Sequence, residues 1–391
     1  MDSIKREKSL KKLLFLVSED SYFCSHRLNL AKTALKAGYE VAVATKCKES
    51  AQKIKDAGIR LFPLKHFNRS GINPFRQIQL ISEIWTVYRT YRPDIVHQVA
   101  MKPVVVGSLV AIACRLPKVI NALGGLGYLF TNGDQKKTKM TRLKKGFLRK
   151  IITPLFTFIF SRSNSTLILQ NTDDLAVLAQ YCSVNPSQVN IIRGAGVDLS
   201  LFHPQPFPPE PPVVIVCVAR MLWSKGIGEL VEAAAILQKN NCLAKVILFG
   251  DPDPENPDTI PEAQLSQWQK EGLITWAGHH SDIPTVYANC HIAVLPSYRE
   301  GLPKSLLEAA SCGRPIVTTD APGCREVVLQ DENGLLVPIH DSTALATALI
   351  YLIRNPEIRE KMGHAGRKRV EQYFSDGLVQ QQTLELYSKT T

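Results

Sequence analysis

The chain has 391 residues, of which 45% are hydrophobic and 21% charged, so it can form two globular domains with a core each. This composition excludes intrinsically disordered and collagen-like chains. The formal net charge of +12 favours an anionic partner such as nucleic acid, nucleotide phosphate or anionic lipid.

The cysteine pattern and the apolar runs disfavour two further classes. The nine cysteines form no C-x-x-C pair, and some lie in apolar runs such as VVIVCVA at 213–219. This pattern indicates buried thiols in a reducing compartment rather than a disulfide framework or a zinc site. The longest apolar candidate, IITPLFTFIF, is much shorter than the roughly 20 residues of a transmembrane helix, and LLFLV near the N-terminus is too short for a signal peptide. We therefore expect a cytoplasmic chain that does not span a membrane.

The first half of the sequence alternates between strand and helix patterns. In chain order the pattern predicts strands and helices at 12–18 (strand), 25–38 (helix), 40–45 (strand), about 49–57 (helix), 59–64 (strand), 74–93 (helix) and 94–100 (strand). Ser25 and Gly38 are the predicted N-cap and C-cap of the first helix. Apolar strands that alternate with helices are typical of a parallel, doubly wound sheet.

A proline-rich stretch, HPQPFPPEPP at 203–212, separates the two halves and predicts a linker. The alternation then restarts, with strands and helices predicted at 213–219, 226–240, 244–250, 273–278, 291–297, 314–320 and 341–354. We expect an α/β protein with an N-terminal Rossmann-like domain (1–200), a linker (201–212), a second Rossmann-like domain (213–368) and a C-terminal helix (369–391) that packs on the first domain. Two such sheets create a cleft between domains, with loops at the strand C-termini.

Two groups of charged residues in the second half could carry chemistry. Arg220 and Lys225 lie between a predicted strand and the helix that follows, where cations and free helix N–H groups form a diphosphate site. Their alternative is a pair of solvated surface charges. Glu300 precedes a predicted apolar helix, and Glu308 lies inside it, where a buried carboxylate needs hydrogen-bond donors such as sugar hydroxyls. The alternative is that Glu300 is a loop charge and Glu308 pairs with Lys304.

The spacing Arg-x4-Lys, followed by Glu-Gly-x6-Glu on a helix about 75 residues later, resembles the retaining glycosyltransferases of family 4, which have the GT-B fold. The resemblance implies that Arg220 and Lys225 hold the donor diphosphate, while Glu300 contacts the donor sugar and Glu308 the ribose. Gly250 in LFGDP and the helix start at 301–304 complete the implied donor site, whose residues there are Gly301, Leu302, Pro303 and Lys304. Members of this fold generally need no metal, and we expect no metal and no cofactor besides the nucleotide-sugar co-substrate.

The first half is similar to bacterial family members that extend polyprenyl-diphosphate-linked glycans with N-acetylhexosamine donors. The segments that carry this resemblance are SHRLNLA, DIVHQVAMKPVVVGSLVA and NALGGLGYLF. The chain lacks the Gly-Gly that many members carry in the first strand-to-helix loop, and Asn121 to Leu123 stand where many have a histidine. The candidate contacts in this domain are His26, Arg27, His97, Gly124 and Gly125; for the histidines a structural role is the alternative.

A basic amphipathic segment at 136–160 carries eight basic residues and no acid within its first fifteen positions. This pattern favours attachment to an anionic membrane face. A solvated loop is the alternative, and nucleic-acid binding is disfavoured because no nucleic-acid-binding motif is present.

Together these features predict a retaining hexosyltransferase, peripheral at the inner face of the cell membrane, that acts in surface-polysaccharide biosynthesis. Its donor would be a nucleoside diphosphate sugar, with UDP favoured by the resemblance. Its acceptor would be a polyprenyl-diphosphate-linked glycan. The rivals are a nucleotide-sugar epimerase of the same fold and a non-catalytic anion-binding protein.

Overall fold

A computed structural model describes residues 10–68, 73–126 and 139–389; the side chains of 139–145 and 147 are outside the description. The chain divides into two compact units. The first comprises the residues up to Ile192 together with those from Gln380 onward, and the second runs from Arg193 to Val379. Each unit is built on one parallel sheet, so the prediction of two Rossmann-like α/β units is confirmed.

The first unit has a seven-stranded sheet among its described residues, in the order β3-β2-β1-β4-β5-β6-β7. Its strands are β1 (Lys12–Glu19), β2 (Glu40–Lys46), β3 (Arg60–Pro63), β4 (Ile95–Val99), β5 (Lys118–Ala122), β6 (Ser165–Leu169) and β7 (Val189–Ile191). Its helices are α1 (Asp20–His26), α2 (Leu28–Lys36), α3 (Ala51–Asp56), α4 (Pro74–Tyr91), α5 (Met101–Ala113), α6 (Lys139–Phe160) and α7 (Thr172–Ala179).

The strands are apolar on both faces because helices cover the sheet on both sides. In β1 the five residues from Leu13 to Val17 are all fully buried. Helix α4 places Leu80, Ile84 and Tyr88 in one hydrophobic cluster with Leu14 of β1. These buried residues follow one another at four-residue spacing, as expected for a helix that packs one side on a sheet.

The first helix begins earlier than expected. Helix α1 starts at Asp20, directly after β1, and ends at His26, and α2 follows from Leu28. Ser25 is therefore inside a helix, where its Oγ donates to the carbonyl of Ser21 (2.9 Å), and its prediction as an N-cap is wrong. The carboxylate of Asp20 instead accepts from the backbone N–H groups of Lys48 and Ser50 (2.7 and 3.1 Å), which holds the next strand-to-helix loop against α1.

The second unit has a six-stranded sheet in the order β10-β9-β8-β11-β12-β13. Its strands are β8 (Val213–Val218), β9 (Ala244–Phe249), β10 (Thr275–Trp276), β11 (Ile292–Leu295), β12 (Ile316–Thr319) and β13 (Gly334–Val337). The helices that follow Ile192 are α8 (Ile227–Lys239), α9 (Glu262–Lys270), α10 (Ile283–Ala288), α11 (Lys304–Ser311), α12 (Cys324–Val327), α13 (Ser342–Arg354), α14 (Pro356–Tyr373) and α15 (Asp376–Ser388).

The proline-rich stretch packs on the second unit and does not mark the division, which lies before it. The Arg314 guanidinium donates to the carbonyls of Gln205 (2.9 Å) and Pro206 (3.1 Å). The Arg359 guanidinium forms an ion pair with Glu210 (2.5 Å). The Arg314 contacts satisfy backbone groups that the prolines leave without helix or sheet partners, so composition alone misplaced the boundary.

The C-terminal residues return to the first unit only from Gln380 onward, since α14 belongs to the second unit. Gln380 Oε1 accepts from the Thr33 hydroxyl (2.6 Å). The Tyr387 hydroxyl bonds to His97 Nδ1 (2.6 Å), and both side chains are buried. The last turns of α15 are therefore an integral part of the core of the first unit.

The nine cysteines are all free in the structure. Among the described residues no helix combines the length and the apolar character that crossing a bilayer requires.

Candidate functional site

The second sheet has a topological switch point between β8 and β11. From β8 the chain runs outward through β9 and β10, then crosses to the other side of β8 and continues through β11, β12 and β13. In open α/β sheets the ligand crevice lies outside the carboxyl ends of the two strands at such a point. The two loops at this crevice follow Val218 and Leu295, and they carry Lys225 and Glu300.

Lys225 and Glu300 form an ion pair between these two loops. Their side chains are 18% and 13% exposed, so the pair is mostly removed from water but still reachable. The two residues are far apart in sequence, and only the pairing of β8 with β11 brings them together. The interpretation of both as solvated loop charges is therefore wrong.

Three backbone contacts fix the geometry of this ion pair. Gly226 has φ +71°, and an added Cβ would overlap the carbonyl oxygen of Pro296, so only glycine fits there. The Tyr298 N–H donates to the Ser224 carbonyl (2.9 Å), and the Glu300 N–H donates to the Pro322 carbonyl (3.0 Å). The loops after β8, β11 and β12 thus hold one another in place.

Arg220 lies in the same loop as Lys225 but has a different partner. Its guanidinium pairs with the Asp253 carboxylate (2.6 Å), and its side chain is 47% exposed. The backbone N–H of Asp253 in turn donates to the Thr259 hydroxyl (2.9 Å). The Asp253 carboxylate therefore orients Arg220.

Gly250 supports this loop through its backbone. Its φ is +133°, and an added Cβ would overlap the carbonyl oxygen of Ala219, the residue before Arg220. Its N–H donates to the Gly278 carbonyl (2.7 Å). A side chain at this position would therefore displace Arg220, which gives Gly250 a structural role in the site.

Glu308 lies within α11, whose N-cap is Pro303. Its carboxylate forms an ion pair with Lys304 one turn earlier (3.3 Å), which is the alternative that the spacing allowed. Burial nevertheless raises the pKa of Glu308, and the neighbouring Lys304 offsets only part of that effect. A buried carboxylate of raised pKa near a helix start is a group that a hydroxyl-bearing ligand could stabilise.

The structure adds a cluster that sequence reasoning missed. The Tyr298 hydroxyl donates to Glu229 Oε1 (2.7 Å) in the first turn of α8, and His340 Nδ1 lies 3.2 Å from the same oxygen. The Tyr298 and His340 rings are in contact, with centroids 3.9 Å apart. These contacts tie the Glu300 loop to α8. The only available sequence signal was the position of Tyr298, shortly after a buried strand.

In the first unit, His97 lies in the middle of β4, where it pairs with Phe15 and Ile120 rather than ending the strand. It is 1% exposed, and its Nε2 is buried without a hydrogen-bond partner among the described residues. Burial and, secondarily, the Arg27 charge lower the pKa of His97 well below its ordinary value. Its surroundings match the structural alternative, and Arg27, only 6% exposed, is likewise inside the unit.

The remaining candidates of the first unit gather at strand ends. The Tyr22 and His26 rings stack with centroids 4.2 Å apart, and Ser25 Oγ lies 2.7 Å from His26 Nδ1. A Cβ at Gly124 would lie 3.5 Å from the Tyr22 hydroxyl and 3.6 Å from Gln170 Nε2. Gly125, the next residue, has φ +126°.

Two polar groups beside Gly124, the Tyr22 hydroxyl and the Gln170 amide, escaped sequence reasoning. Tyr22 lies in the segment between the first predicted strand and helix, and Gln170 follows β6, a strand beyond those predicted for the first half. Asn121, at the position of the common family histidine, is fully buried and accepts from the Ser108 hydroxyl (3.0 Å), so it does not reach a ligand.

The predicted basic segment is described only in part. Residues 136–138 lie outside the described residues, and so do the side chains of most of the basic positions that follow them. The rest of the segment belongs to the helix α6, on which Lys150, Ile151 and Phe158 are exposed. No group of three or more potential metal ligands was found among the described residues.

Two family models match the chain and together span most of it. Residues 12–160 match the glycosyl transferase 4-like family, and residues 200–369 match the glycosyl transferases group 1 family. The chain belongs to these glycosyltransferases. Its resemblance to family 4, predicted from Arg220, Lys225, Glu300 and Glu308, is thereby confirmed.

Two known glycosyltransferases are similar in sequence to this chain over most of its length. It is 27% identical over 363 residues to the N,N'-diacetylbacillosaminyl-diphospho-undecaprenol α-1,3-N-acetylgalactosaminyltransferase of Campylobacter jejuni, covering 90% of this chain and 91% of the relative. It is 24% identical over 339 residues to the UDP-Gal:α-D-GlcNAc-diphosphoundecaprenol α-1,3-galactosyltransferase of Escherichia coli, covering 83% of each.

Among solved structures, the complex of Anabaena HepE with UDP and glucose has a TM-score of 0.76. It is 19% identical in sequence and covers 97% of this chain and 100% of HepE. At this level of identity the likeness shows the fold, which is the GT-B fold of glycosyltransferases.

Proposed function

We propose that this glycosyltransferase transfers a hexosyl unit, an N-acetylhexosamine, from a nucleoside diphosphate sugar to a polyprenyl-diphosphate-linked glycan, with retention of the anomeric configuration. The observation that carries the proposal is the Lys225–Glu300 ion pair at the switch point of the second sheet. A cation and a carboxylate side by side fit a ligand that joins a diphosphate to a polyhydroxylated ring.

In this proposal, donor binding replaces the contact between Lys225 and Glu300 with contacts to the donor. The diphosphate binds the Lys225 ammonium and the Arg220 guanidinium, which Asp253 orients. Glu300, released from Lys225, accepts hydrogen bonds from sugar hydroxyls. Glu308 accepts from the ribose, which supplies the donors that a buried carboxylate needs. The N–H groups at the start of α11, in residues 301–304, add further donors to the phosphate oxygens.

The proposed reaction places the developing negative charge beside the two cations of the site. The bond between the anomeric carbon and the diphosphate oxygen breaks, and negative charge grows on the leaving diphosphate beside Lys225 and Arg220. The acceptor hydroxyl attacks from the same face, its oxygen bonds to the anomeric carbon, and its proton passes to the leaving diphosphate oxygen. We propose that these two side chains supply the positive charge and that no metal ion is required.

The choice of donor and acceptor class is supported by relatives. The E. coli relative is described as using a UDP-sugar, and both curated relatives as acting on diphosphoundecaprenol-linked sugars. Such an acceptor confines the reaction to a bilayer, and we propose that the enzyme works peripherally at the cytoplasmic face of the membrane. The basic segment at 136–160 would contribute attraction to anionic lipid.

Alanine variants of the ion pair test the site. We expect Lys225→Ala and Glu300→Ala each to lower kcat about 100-fold or more, the scale seen when one preorganised electrostatic group is removed. Lys239→Ala and Glu262→Ala, at exposed helix positions of the same unit, are the matched controls and keep the parent rate. Parent-like transfer by both site variants would refute the assignment.

Incubation with the donor alone separates the proposal from the epimerase. A transferase yields only slow hydrolysis of the nucleotide sugar, whereas an epimerase converts it to a second sugar. A panel of UDP- and GDP-sugars with a polyprenyl-diphosphate sugar acceptor, scored by product mass, then identifies the donor and the acceptor. Absence of both transfer and nucleotide binding would favour the anion-binding protein.

A further inference from the structure

Three consecutive helices, α4, α5 and α6, cover the same face of the first sheet. Helix α4 connects β3 to β4, α5 connects β4 to β5, and α6 connects β5 to β6, so all three connections cross the sheet in the same direction. Right-handed crossovers in one direction put their helices on one side of a sheet. Helix α5 packs against both α4 and α6. Their outward surfaces therefore form one continuous face, which we call the α4–α6 face.

Helix α4 presents an apolar stripe on this face. Phe75, Ile78, Ile81 and Trp85 are 79%, 64%, 39% and 42% exposed. At 100° per residue the four lie within about 120° of the helix circumference, away from the buried side. Scattered exposed hydrophobic residues are normal, but an aligned set that includes two aromatic residues marks an interaction surface.

The other two helices of the face also carry exposed large hydrophobic residues. Leu109 of α5 is 38% exposed, and Ile151 and Phe158 of α6 are 50% and 47% exposed. Half of the 14 strongly exposed large hydrophobic residues of the described chain thus belong to three helices of one unit. This concentration argues against chance exposure.

The charges on the same face are almost all positive. Helices α4, α5 and α6 contain a single acidic residue, Glu83. Its carboxylate is occupied by His66 Nδ1 (2.9 Å) and by the backbone N–H of Lys65 (3.2 Å). Exposed Arg89 lies within the angular range of the stripe near the C-terminus of α4, and exposed Lys150 stands beside Ile151 on α6.

The orientation of α4 places the stripe relative to the strand ends. The Tyr91 hydroxyl, at the C-terminus of α4, donates to the carbonyl of Glu40, the first residue of β2. The C-terminus of α4 therefore lies at the edge where strands begin. Phe75, at the other end of the helix about 24 Å away, lies toward the edge where strands end and ligand groups gather.

We propose that the α4–α6 face docks on an anionic bilayer, with Phe75 and Ile78 of α4 inserted among the lipids and the arginine and lysine side chains at the headgroups. Apolar side chains accompanied by cations, with no available acid on these helices, fit an interface of anionic lipid better than a protein partner of mixed charge. This inference rests on the proposed function and deepens it, because a lipid-linked acceptor would reach the enzyme from this side.

The test uses vesicles and a double variant that leaves the fold intact. Phe75→Ser with Ile78→Ser removes the two most exposed side chains of the stripe, and the control is Leu243→Ser with Tyr351→Ser, which are 68% and 45% exposed in the second unit. We expect the stripe variant to partition at least about tenfold more weakly onto phosphatidylglycerol–phosphatidylcholine vesicles in sedimentation, because it loses the apolar area that enters the bilayer. The control should bind as the parent does, and all three should show the same circular dichroism and Tm.

Depth of insertion supplies a second readout. Brominated lipids quench tryptophan fluorescence, and we expect quenching in the parent protein to fall in a Trp85→Phe variant. Equal vesicle binding by the stripe variant and the control would overturn the proposal. So would loss of self-association in the stripe variant without loss of vesicle binding, because the stripe would then be a contact between two copies of the chain.

An assay in detergent-free solution with a water-soluble, short-chain acceptor keeps the two proposals apart. The stripe variant should turn over this acceptor at the parent rate and lose rate only with a vesicle-embedded acceptor. If neither protein transfers sugar to any acceptor, the proposed function fails, while the vesicle result still decides the docking surface.

Discussion

The Lys225–Glu300 ion pair leads to a prediction that separates stability from catalysis. Lys225→Met leaves the Glu300 carboxylate, 13% exposed, without its cation, and Glu300→Gln leaves the ammonium of Lys225, 18% exposed, without its anion. Removal of one partner from a fully buried pair costs about 3–5 kcal/mol. Because some solvent reaches both groups, we expect each single variant to lose about 2–3 kcal/mol of unfolding free energy.

The double variant, Lys225→Met with Glu300→Gln, removes both charges and leaves neither unpaired. We expect it to recover most of the lost stability, since replacing a mostly buried ion pair by neutral groups is often nearly neutral. In a unit of this size, about 2–3 kcal/mol corresponds to a Tm change of about 4–12 °C. Differential scanning calorimetry of the four proteins of this double-mutant cycle gives the coupling energy directly.

The double variant should recover its stability but not its activity. All three variants should remain at least about 100-fold below the parent in kcat, because the stable double variant has no charge for the diphosphate and none for the sugar hydroxyls. A double variant as unstable as the single ones would contradict the pairing argument. A stable double variant that transfers sugar at the parent rate would rule out the donor-site assignment instead.

Other predictions concern the residues around this ion pair and the first unit. Asp253→Asn removes the carboxylate that orients Arg220, so we expect the donor KM to rise several-fold with little change in Tm; an unchanged KM in steady-state kinetics would contradict this. Because burial raises the Glu308 pKa, the wild-type protein holds an unfavourable buried charge at high pH, and Glu308→Gln should gain Tm relative to wild type at pH 8 and less at pH 5, as thermal melts at the two pH values would show. Tyr387→Phe removes the hydrogen-bond partner of the buried His97 Nδ1 and should lower the free energy of unfolding by about 1–3 kcal/mol, as measured by chemical denaturation. Chelation by EDTA should leave transfer unchanged, and loss of rate restored by Mg²⁺ would contradict the metal-free proposal.

The second-unit site was predictable because its sequence signals are local. Arg220 and Lys225 follow one apolar strand, and Glu300 follows another, so each could be placed in a loop at a strand end. The strand order that joins these loops is a long-range property of the sheet. The sequence indicated this strand order only through the spacing typical of the family. The contact between Lys225 and Glu300 could be identified only from the structure.

The misplaced features of the first unit share a different cause. The segment SEDSYFCSHR is polar and suggested a loop, yet Asp20 is fully buried because backbone N–H groups of another loop satisfy its carboxylate. Gln98 is also fully buried, because its side chain lies within hydrogen-bond distance of the Ser108 and Tyr88 hydroxyls. Hydropathy patterns treat such polar residues as exposed, and the hydrogen bonds that make their burial possible join separate elements of the fold.

The two units differ in where they keep charge. In the second unit a cation and a carboxylate stand at the switch point itself, in Lys225 and Glu300. In the first unit His97, beside the corresponding switch point of β1 and β4, is held neutral by burial, and the Asp20 carboxylate is occupied by backbone N–H groups. The end of β1 carries the Glu19–Lys48 ion pair (3.2 Å), whose lysine side chain is 46% exposed, and further positive charge lies outward on α4 and α6. In the proposed reaction charge develops on the donor diphosphate, which fits the less exposed Lys225–Glu300 pair of the second unit, while the acceptor contributes a neutral hydroxyl and is delivered from an anionic surface.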